Sequence, residues 1–274
     1  MIMPLKTAGK VLRGDLKGAL TDVQLQIERT VGLAGIVIIS LSSMLGSGLF
    51  VMPAFAADIM GPGIWLAFLL AATVVLPGAL SKSELASAMP SSGGSYVYLE
   101  RTFGPLFGTI SGLGLWASFL LKASFALIGF SAYMYAVNTY FDISFDKTVI
   151  SIGALVFITV INILGVKKVK AIQTPILAVT LLMLFIVCAV QLFDPSTDLA
   201  RPVDAAFSAE PWKLAETAAF VFVAFAGVTK VAAIGGEVKN PGRNLPLGIM
   251  ISLGIATFLY CAVTFIMMAS LPGQ

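Results

Sequence analysis

Histidine is absent from this 274-residue chain, and only 11% of its residues are charged. Soluble globular domains carry about 25% charged residues, so a chain this poor in charge must present much of its surface to lipid. With no histidine, and no acidic residue in the middle of an apolar stretch, neither a metal centre nor a catalytic carboxylate pair is expected within the membrane. The net charge of +3 is small and the basic residues form no dense patch, which argues against nucleic-acid binding.

Cysteine is also scarce, and the N-terminus lacks the apolar run of a secretory signal. Cys188 and Cys261 both lie inside apolar stretches, where they are interpreted as small buried hydrophobic residues, not as a disulfide or metal pair. Charges are spread through residues 1–30, so the pattern does not predict a cleaved signal peptide. We expect this cytoplasmic N-terminal segment to carry a short amphipathic helix at 16–27 on the membrane surface.

Hydrophobic residues are abundant, at 58% of the chain, and they are gathered into long runs. A helix needs about 20 apolar residues to cross the hydrocarbon core of a bilayer. Seven runs qualify, and no strand-like alternation is present, so the predicted fold class is an all-α membrane protein. The runs are span 1 (31–57), span 2 (64–80), span 3 (106–137), span 4 (149–164), span 5 (175–192), span 6 (214–234) and span 7 (247–271).

The loops between the spans differ in charge, and this difference predicts the orientation, because cytoplasmic loops carry an excess of Lys and Arg. With the N-terminus inside, the outer segments hold few basic residues, namely Lys147, Arg201 and Lys213. The inner segments then hold Lys6, Lys10, Arg13, Lys17, Arg29, Lys82, Arg101, Lys167, Lys168, Lys170, Lys239 and Arg243. We therefore predict a cytoplasmic N-terminus.

Span 1 carries the motif SSMLGSGLF (42–50) at its middle. Gly46 and Gly48 are poor residues for a helix interior, and in lipid a broken helix is tolerated only where its freed backbone groups meet protein, water or a ligand. The N–H groups at the start of a second half-helix would bind an anion such as a carboxylate. The alternative is that these small residues only allow close helix packing.

Span 6 carries a matching motif, FVFVAFAGVTK (220–230). An interruption there would free carbonyls at the end of the first half-helix, and carbonyls suit an ammonium group. Span 1 would then offer donors and span 6 acceptors, which together fit a zwitterionic α-amino acid. Interrupted helices at corresponding places in two halves indicate a transporter site.

Two loop motifs resemble the cytoplasmic signatures of amino acid–polyamine–organocation (APC) superfamily permeases. They are ELASAMPSSGGSYVYLER (84–101), followed by FGP (103–105), and EVKNPGRNLP (237–246). The resemblance, which includes the span 1 motif, runs from residue 31 to the end. The charged residues of these loops, Glu84, Glu100, Arg101, Glu237, Lys239 and Arg243, are interpreted as locking loops against helix ends and not as parts of a site.

The resemblance implies a LeuT-like fold of two inverted five-helix repeats, with helices 1 and 6 broken and usually two further helices. Residues 31–193 would form the first repeat, and 194–274 an external loop with spans 6 and 7 of an incomplete second repeat. The chain would then be a fragment of a longer permease or a truncated product. The implied function is secondary active transport of amino acids across the cytoplasmic membrane by alternating access, proton-coupled or by exchange; the alternative is a transport-inactive fragment.

The resemblance also implies a binding site without a cofactor or metal. The N–H groups near Gly46, Ser47 and Gly48 would hold the substrate carboxylate, and the carbonyls of Met44, Val223 and Ala226, beside Gly227, would hold its ammonium group. Many relatives have an aromatic residue at the position of Val223 and an acidic one at that of Thr229, and this chain has neither. Phe222 and Phe225 are candidates for aromatic walls.

Coupling is less defined by the sequence. Proton-coupled relatives can carry a lysine in helix 5, where this chain has Thr180 in its place. Lys122 and Lys230 are the ionisable groups inside the spans, and each costs about 2.5–3.5 kcal/mol to place in the membrane. Both are therefore candidates for coupling, together with Thr180 and Thr229. Lys230 is favoured because it adjoins the span 6 motif. The alternatives for each lysine are a structural hydrogen bond to carbonyls of a broken helix, or snorkelling along a cavity.

Two other classes of membrane protein are alternatives to a transporter. A receptor or retinal protein would place its N-terminus outside, against the charge pattern. A membrane-embedded enzyme lacks the residues for a metal or carboxylate centre. The sequence alone does not identify the amino acid carried or the coupling ion.

Overall fold

The computed structural model describes residues 29–91, 93–141, 146–163, 166–228 and 230–271. The predicted amphipathic helix at 16–27 lies outside these residues. Within them, the α-helices are α1 (Leu33–Met44), α2 (Ser47–Phe50), α3 (Met52–Met60), α4 (Ile64–Ala88), α5 (Ser95–Phe103), α6 (Pro105–Phe141), α7 (Lys147–Ile163), α8 (Val166–Leu192), α9 (Ala200–Ser208), α10 (Pro211–Val221) and α11 (Pro241–Ser270). Short 3₁₀ segments are Gly61–Gly63, Phe222–Gly227, Lys230–Ala233 and Gly235–Glu237.

Five helical stretches in the described part of the chain are long and apolar enough to cross a membrane. They are Ser47–Ala88, Pro105–Tyr135, Ile172–Leu192, Pro211–Ala233 and Pro241–Ser270. Two further apolar helices are shorter, Leu33–Met44 and Thr148–Ile163. The prediction of an all-α membrane protein is confirmed at this level, and the chain is a multi-pass integral membrane protein.

Several helix ends differ from the predicted spans, because hydropathy detects only the apolar part of a helix. α8 begins at Val166 instead of residue 175, and α4 continues to Ala88 instead of ending at 80. α5 and α9 were not predicted, since each is a nine-residue helix outside the long apolar runs. The stretch Ser47–Ala88 holds parts of two predicted spans, and Gly61 turns the chain between them with a φ of 75°.

A central bundle is formed by α1–α4, α10 and α11. α11 packs along α4 and α1, while α10 packs against α4 and α3. The bundle core is mostly apolar, and its largest fully buried side chains include Met44, Phe68, Phe225, Ile249 and Tyr260. Within a bilayer, close van der Waals packing and hydrogen bonds between helices hold these segments together, because lipid is as apolar as the buried side chains.

The peripheral helices α6, α7 and α8 are packed less closely. α6 contacts chiefly α5, α7 and the short α2, whereas α8 contacts α11 and α1. Their large apolar side chains, such as Leu113, Trp116, Phe157 and Phe185, are more than half exposed. Such surfaces suit lipid or further apolar protein, as expected of helices in a bilayer.

The two loop motifs meet at one end of the central bundle. The N–H of Val31 donates to the carbonyl of Glu237 at 3.0 Å, and the N–H of Lys239 donates to the carbonyl of Val31 at 2.9 Å. From the other motif, the N–H of Gly93 donates to the carbonyl of Ala233 at 3.0 Å. Tyr98 of the same motif lies in a buried apolar cluster with Val31 and Val238. Backbone hydrogen bonds and apolar packing therefore join these loops.

The opposite end of the bundle is covered by α9. The indole N–H of Trp65 at the start of α4 donates to the carbonyl of Pro202 at 3.0 Å. A Cβ at Gly63 would lie 2.6 Å from the Cα of Ala206, so the turn before α4 lies directly against α9. The N–H of Asp198 also donates to Ala269 near the end of α11, at 3.1 Å.

Candidate functional site

A two-residue turn, Leu45–Gly46, separates α1 from α2 within the span 1 motif. Gly46 has a non-helical ψ of −117°, and its carbonyl accepts the N–H groups of Leu49 and Phe50 at 3.2 and 3.3 Å. In the first turn that follows, the N–H groups of Ser47 and Gly48 have no acceptor within a helix, because the first four amides of any helix lack one. The same geometry leaves the last carbonyls of α1 without a backbone amide donor from the helix.

The span 6 motif changes from α-helix to 3₁₀-helix at its middle. α10 ends at Val221 and the 3₁₀ segment Phe222–Gly227 follows. Phe225 is buried with 1% exposure, whereas Phe222 and Val223 are exposed at 42% and 41%. The 3₁₀ pattern is a poorer hydrogen-bonding geometry that is used in short pieces, often at functional hinges.

The Leu45–Gly46 turn and the 3₁₀ segment lie directly against each other. A Cβ at Gly227 would lie 2.6 Å from the backbone carbonyl of Ser43 and 2.8 Å from the N of Met44. A Cβ at Gly48 would lie 2.8 Å from the Cβ of Ala224. The structure therefore brings the predicted site residues of spans 1 and 6 together, and only glycine permits that approach at both positions.

Tyr260, in the middle of α11, completes this junction, and sequence reasoning missed it. Its hydroxyl lies 2.7 Å from the carbonyl oxygen of Met44 and 3.3 Å from that of Ala224. The side chain is fully buried. A tyrosine halfway along an apolar span is the signal that was available, because a buried phenol group usually requires a hydrogen-bond partner.

A cavity of about 450 Å³ lies on the other side of the Leu45–Gly46 turn, between that turn and α6. The cavity is mostly apolar, and α6 approaches closely enough that a Cβ at Gly129 would overlap the side chain of Val51. The α6 wall was also missed from the sequence, since nothing in span 3 marks which face meets span 1. The lining residues are Gly46, Ser47, Phe50, Val51, Ala126, Gly129, Phe130 and Tyr133.

Two side chains of α6 hold the backbone of span 1 on either side of the turn. The ammonium group of Lys122 donates to the carbonyl of Ser43 at 2.8 Å. Tyr133 donates its hydroxyl hydrogen to the carbonyl of Phe50 at 2.7 Å. Lys122 lies one helical turn from Ala126, so its hydrogen bond is adjacent to the cavity.

Of the other coupling candidates, Lys230 lies beside α6 and Thr180 lies on α8. The ammonium group of Lys230 lies 5.3 Å from the ring centroid of Phe119 on α6, and the Lys230 side chain is exposed. Thr180 is half-buried on α8, three residues after the buried Leu177. Thr229 lies outside the described residues.

These observations define a multi-pass membrane protein in which two irregular helix segments meet at mid-span beside a cavity. The family model described as "Amino acid permease" matches residues 31–274. The chain belongs to the amino acid permease family, as the resemblance of its motifs to amino acid–polyamine–organocation permeases implied.

Similar proteins carry transporter names. A branched-chain amino acid permease of Bacillus subtilis is 30% identical over 93% of this chain and 57% of its own length. An uncharacterized transporter of Mycobacterium tuberculosis is 30% identical over 92% of this chain and 56% of its own. A serine/threonine exchanger of Bacillus subtilis is 27% identical over 90% and 56%. The chain thus spans just over half the length of these relatives.

Proposed function

We propose that this chain is part of a secondary active transporter that carries amino acids across the cytoplasmic membrane by alternating access. The observation that carries the proposal is the close approach of the Leu45–Gly46 turn to the 3₁₀ segment Phe222–Gly227. In a membrane, irregular backbone is retained where it lines a site or a cavity. Membership of the amino acid permease family supports the same function.

The substrate would be held by backbone groups. In the proposed site, the N–H groups of Ser47 and Gly48 bind the carboxylate, and the carbonyls of Met44, Val223 and Ala226 bind the ammonium group. The interruptions of helices 1 and 6 of a LeuT-like fold supply both sets. Gly48 and Gly227 allow the two backbone segments to approach, because neither carries a side chain.

The cavity beside α6 favours a neutral amino acid with an apolar side chain. It adjoins Gly46 and Ser47, and its remaining walls are mostly apolar side chains of α6. No carboxylate lines the cavity, and Lys122, the nearest charged group on that face of α6, already donates to Ser43. One relative is named as a branched-chain amino acid permease, which agrees with such a substrate.

Sidedness and coupling are part of the same proposal. The N-terminus is cytoplasmic, so the end where the two loop motifs meet faces the cytoplasm. Transport is proton-coupled or proceeds by exchange, with Lys122 and Lys230 as the candidate proton carriers and Thr180 and Thr229 as further polar groups in the coupling region.

A second candidate is a transport-inactive part of such a permease. The observation that favours it is that the chain covers just over half of its relatives while α6–α8 leave large apolar side chains exposed. Amino-acid uptake above protein-free vesicles by proteoliposomes that contain only residues 1–274 would exclude this second candidate.

Substitution of Ala126 by leucine is expected to change which amino acids bind. The larger side chain fills part of the cavity, so the Kd for leucine should rise about tenfold or more while that for alanine changes less than threefold. One methylene group more or less in an apolar pocket is worth about 1–3 kcal/mol. Calorimetry on the protein containing this chain, purified in lipid nanodiscs, measures both constants.

The control for this substitution is Ala123→Leu, which enlarges an exposed position on the same helix outside the cavity. It should leave both Kd values unchanged. Equal losses for leucine and alanine in the Ala126→Leu protein would place the side-chain pocket elsewhere, and absence of any amino-acid binding by the wild type would refute the proposed function.

A further inference from the structure

Tyr260 is a fully buried polar side chain at the centre of the central bundle. Its ring is fixed on two sides, with the ring centroid of Phe68 at 5.2 Å and that of Phe225, edge-on, at 5.0 Å. These contacts define one position for the hydroxyl group. That position lies between the end of α1 and the 3₁₀ segment Phe222–Gly227.

The hydroxyl meets two carbonyl groups, one of which helical hydrogen bonding leaves without a donor. Met44 is the last residue of α1, so its carbonyl lacks the amide that a continuing helix would supply. Ala224 lies in the 3₁₀ segment opposite. A tyrosine hydroxyl has one hydrogen to donate, and at 2.7 Å the Met44 carbonyl is the nearer acceptor, with the Ala224 carbonyl at 3.3 Å.

The same hydroxyl lies close to the backbone that is proposed to bind the substrate carboxylate. A Cβ at Gly48 would lie 2.6 Å from the Tyr260 oxygen. The Tyr260 hydroxyl therefore lies beside both parts of the proposed site: the Met44 carbonyl, which would accept from the ammonium group, and the backbone of Gly48, which would donate to the carboxylate. An α-amino acid carries its carboxylate and ammonium groups at a fixed separation, so the distance between these two parts of the site selects it over other small molecules.

We propose that Tyr260 is a positioning residue of the amino-acid site, an inference that rests on the proposed function. Its hydroxyl holds the Met44 carbonyl and the 3₁₀ segment in register with the N–H groups of Ser47 and Gly48 before substrate arrives. The substrate then meets donors and acceptors that are already placed. Preorganisation of this kind raises affinity because less ordering remains to be done on binding.

The test is Tyr260→Phe, which keeps the ring and removes only the hydroxyl. Because the hydroxyl acts on groups that recognise the α-amino and α-carboxyl groups, we expect the Kd to rise about tenfold for alanine and for leucine alike; tenfold corresponds to about 1.4 kcal/mol. Calorimetry with both amino acids on the nanodisc-held protein measures this ratio. Tyr260→Phe should thus weaken the binding of alanine and leucine equally, whereas Ala126→Leu should weaken the binding of leucine more than that of alanine.

Thr264→Val is the matched control. Thr264 lies one turn further along α11, is equally buried, and donates its hydroxyl hydrogen to the carbonyl of Tyr260 within the same helix at 2.6 Å. The substitution therefore removes a buried hydroxyl of α11 that does not contact the turn or the 3₁₀ segment. It should leave both Kd values within twofold of the wild type.

A measurement without substrate separates this inference from the proposed function. In Tyr260→Phe, hydrogen–deuterium exchange should rise at least fivefold in the peptides that contain the Leu45–Gly46 turn and the 3₁₀ segment, and Thr264→Val should not raise it there. Unchanged exchange in both peptides, or Kd values within twofold of the wild type, would overturn the role of Tyr260. Amino-acid binding by the wild type separately decides the proposed function.

Discussion

Substitution of Gly227 by alanine is expected to lower the free energy of unfolding by about 3 kcal/mol and to abolish amino-acid binding. The added Cβ would lie 2.6 Å from the carbonyl carbon and oxygen of Ser43 and 2.8 Å from the N of Met44. Backbone cannot move aside as a flexible side chain can, so the 3₁₀ segment must shift away from α1. Overpacking of a well-packed core costs about 1–3 kcal/mol and occasionally more, and this contact falls at the upper end.

The control for this prediction is Gly254→Ala in α11, where an added Cβ would meet nothing within 4 Å. Alanine in the helix interior should there be neutral or stabilising by about 0.5–1 kcal/mol. Thermal unfolding in detergent and equilibrium binding, measured on both variants, check the pair. If Gly227→Ala unfolds and binds like the wild type, the turn and the 3₁₀ segment do not pack as closely as the structure indicates.

The main helices were predictable because lipid leaves the chain few choices. An apolar run of about 20 residues in a bilayer must satisfy its own backbone, and the helix is the way to do so within one segment. The seven predicted spans therefore have counterparts in α1–α4, α6–α8, α10 with the 3₁₀ segments after it, and α11. Helix ends were less predictable, since α8 continues from Ile172 back to Val166 through residues that hydropathy excludes.

Part of the candidate site was also predictable, for a local reason. Glycine-rich motifs weaken a helix wherever they occur, so Gly46, Gly48 and Gly227 identified the segments that now lie together. The partners of those segments could not be predicted, because contacts such as Tyr260 with Met44 and Ala126 with the cavity depend on how distant helices rotate against each other. Periodicity gives a buried face only where one face is polar, and these spans are apolar all round.

The two lysines illustrate the same limit. From the sequence both were ionisable groups within apolar spans, and the position of Lys230 beside the span 6 motif favoured it for coupling. In the structure Lys122 is half-buried and hydrogen-bonded to the backbone of span 1, whereas the Lys230 side chain is exposed above the Phe119 ring. Of the two lysines, Lys122 therefore has the direct contact with the backbone of the proposed site.

Substitution of Lys122 by methionine is therefore expected to remove uptake driven by a pH gradient while leaving the protein folded. The lost hydrogen bond between the ammonium group and the Ser43 carbonyl is worth about 1.5–3 kcal/mol, but a charge within the membrane costs about 2.5–3.5 kcal/mol. Because the two terms nearly cancel, thermal stability should change little. Uptake into proteoliposomes by the protein containing this chain, with and without an imposed pH gradient, measures the loss, and we expect at least tenfold.

Lys230→Met is the matched control, because it removes the same charge from an exposed side chain whose described contact is the Phe119 ring. A cation–π contact at an exposed site is worth about 0.5–1 kcal/mol, so stability should again change little, and at least half of the gradient-driven uptake should remain. A purely structural Lys122 would instead lose folded protein and uptake together. Full gradient-driven uptake by Lys122→Met would exclude a coupling role for Lys122. If gradient-driven uptake were lost in Lys230→Met alone, the role would fall to Lys230, because the group that exchanges the coupling proton is indispensable when stability is unchanged.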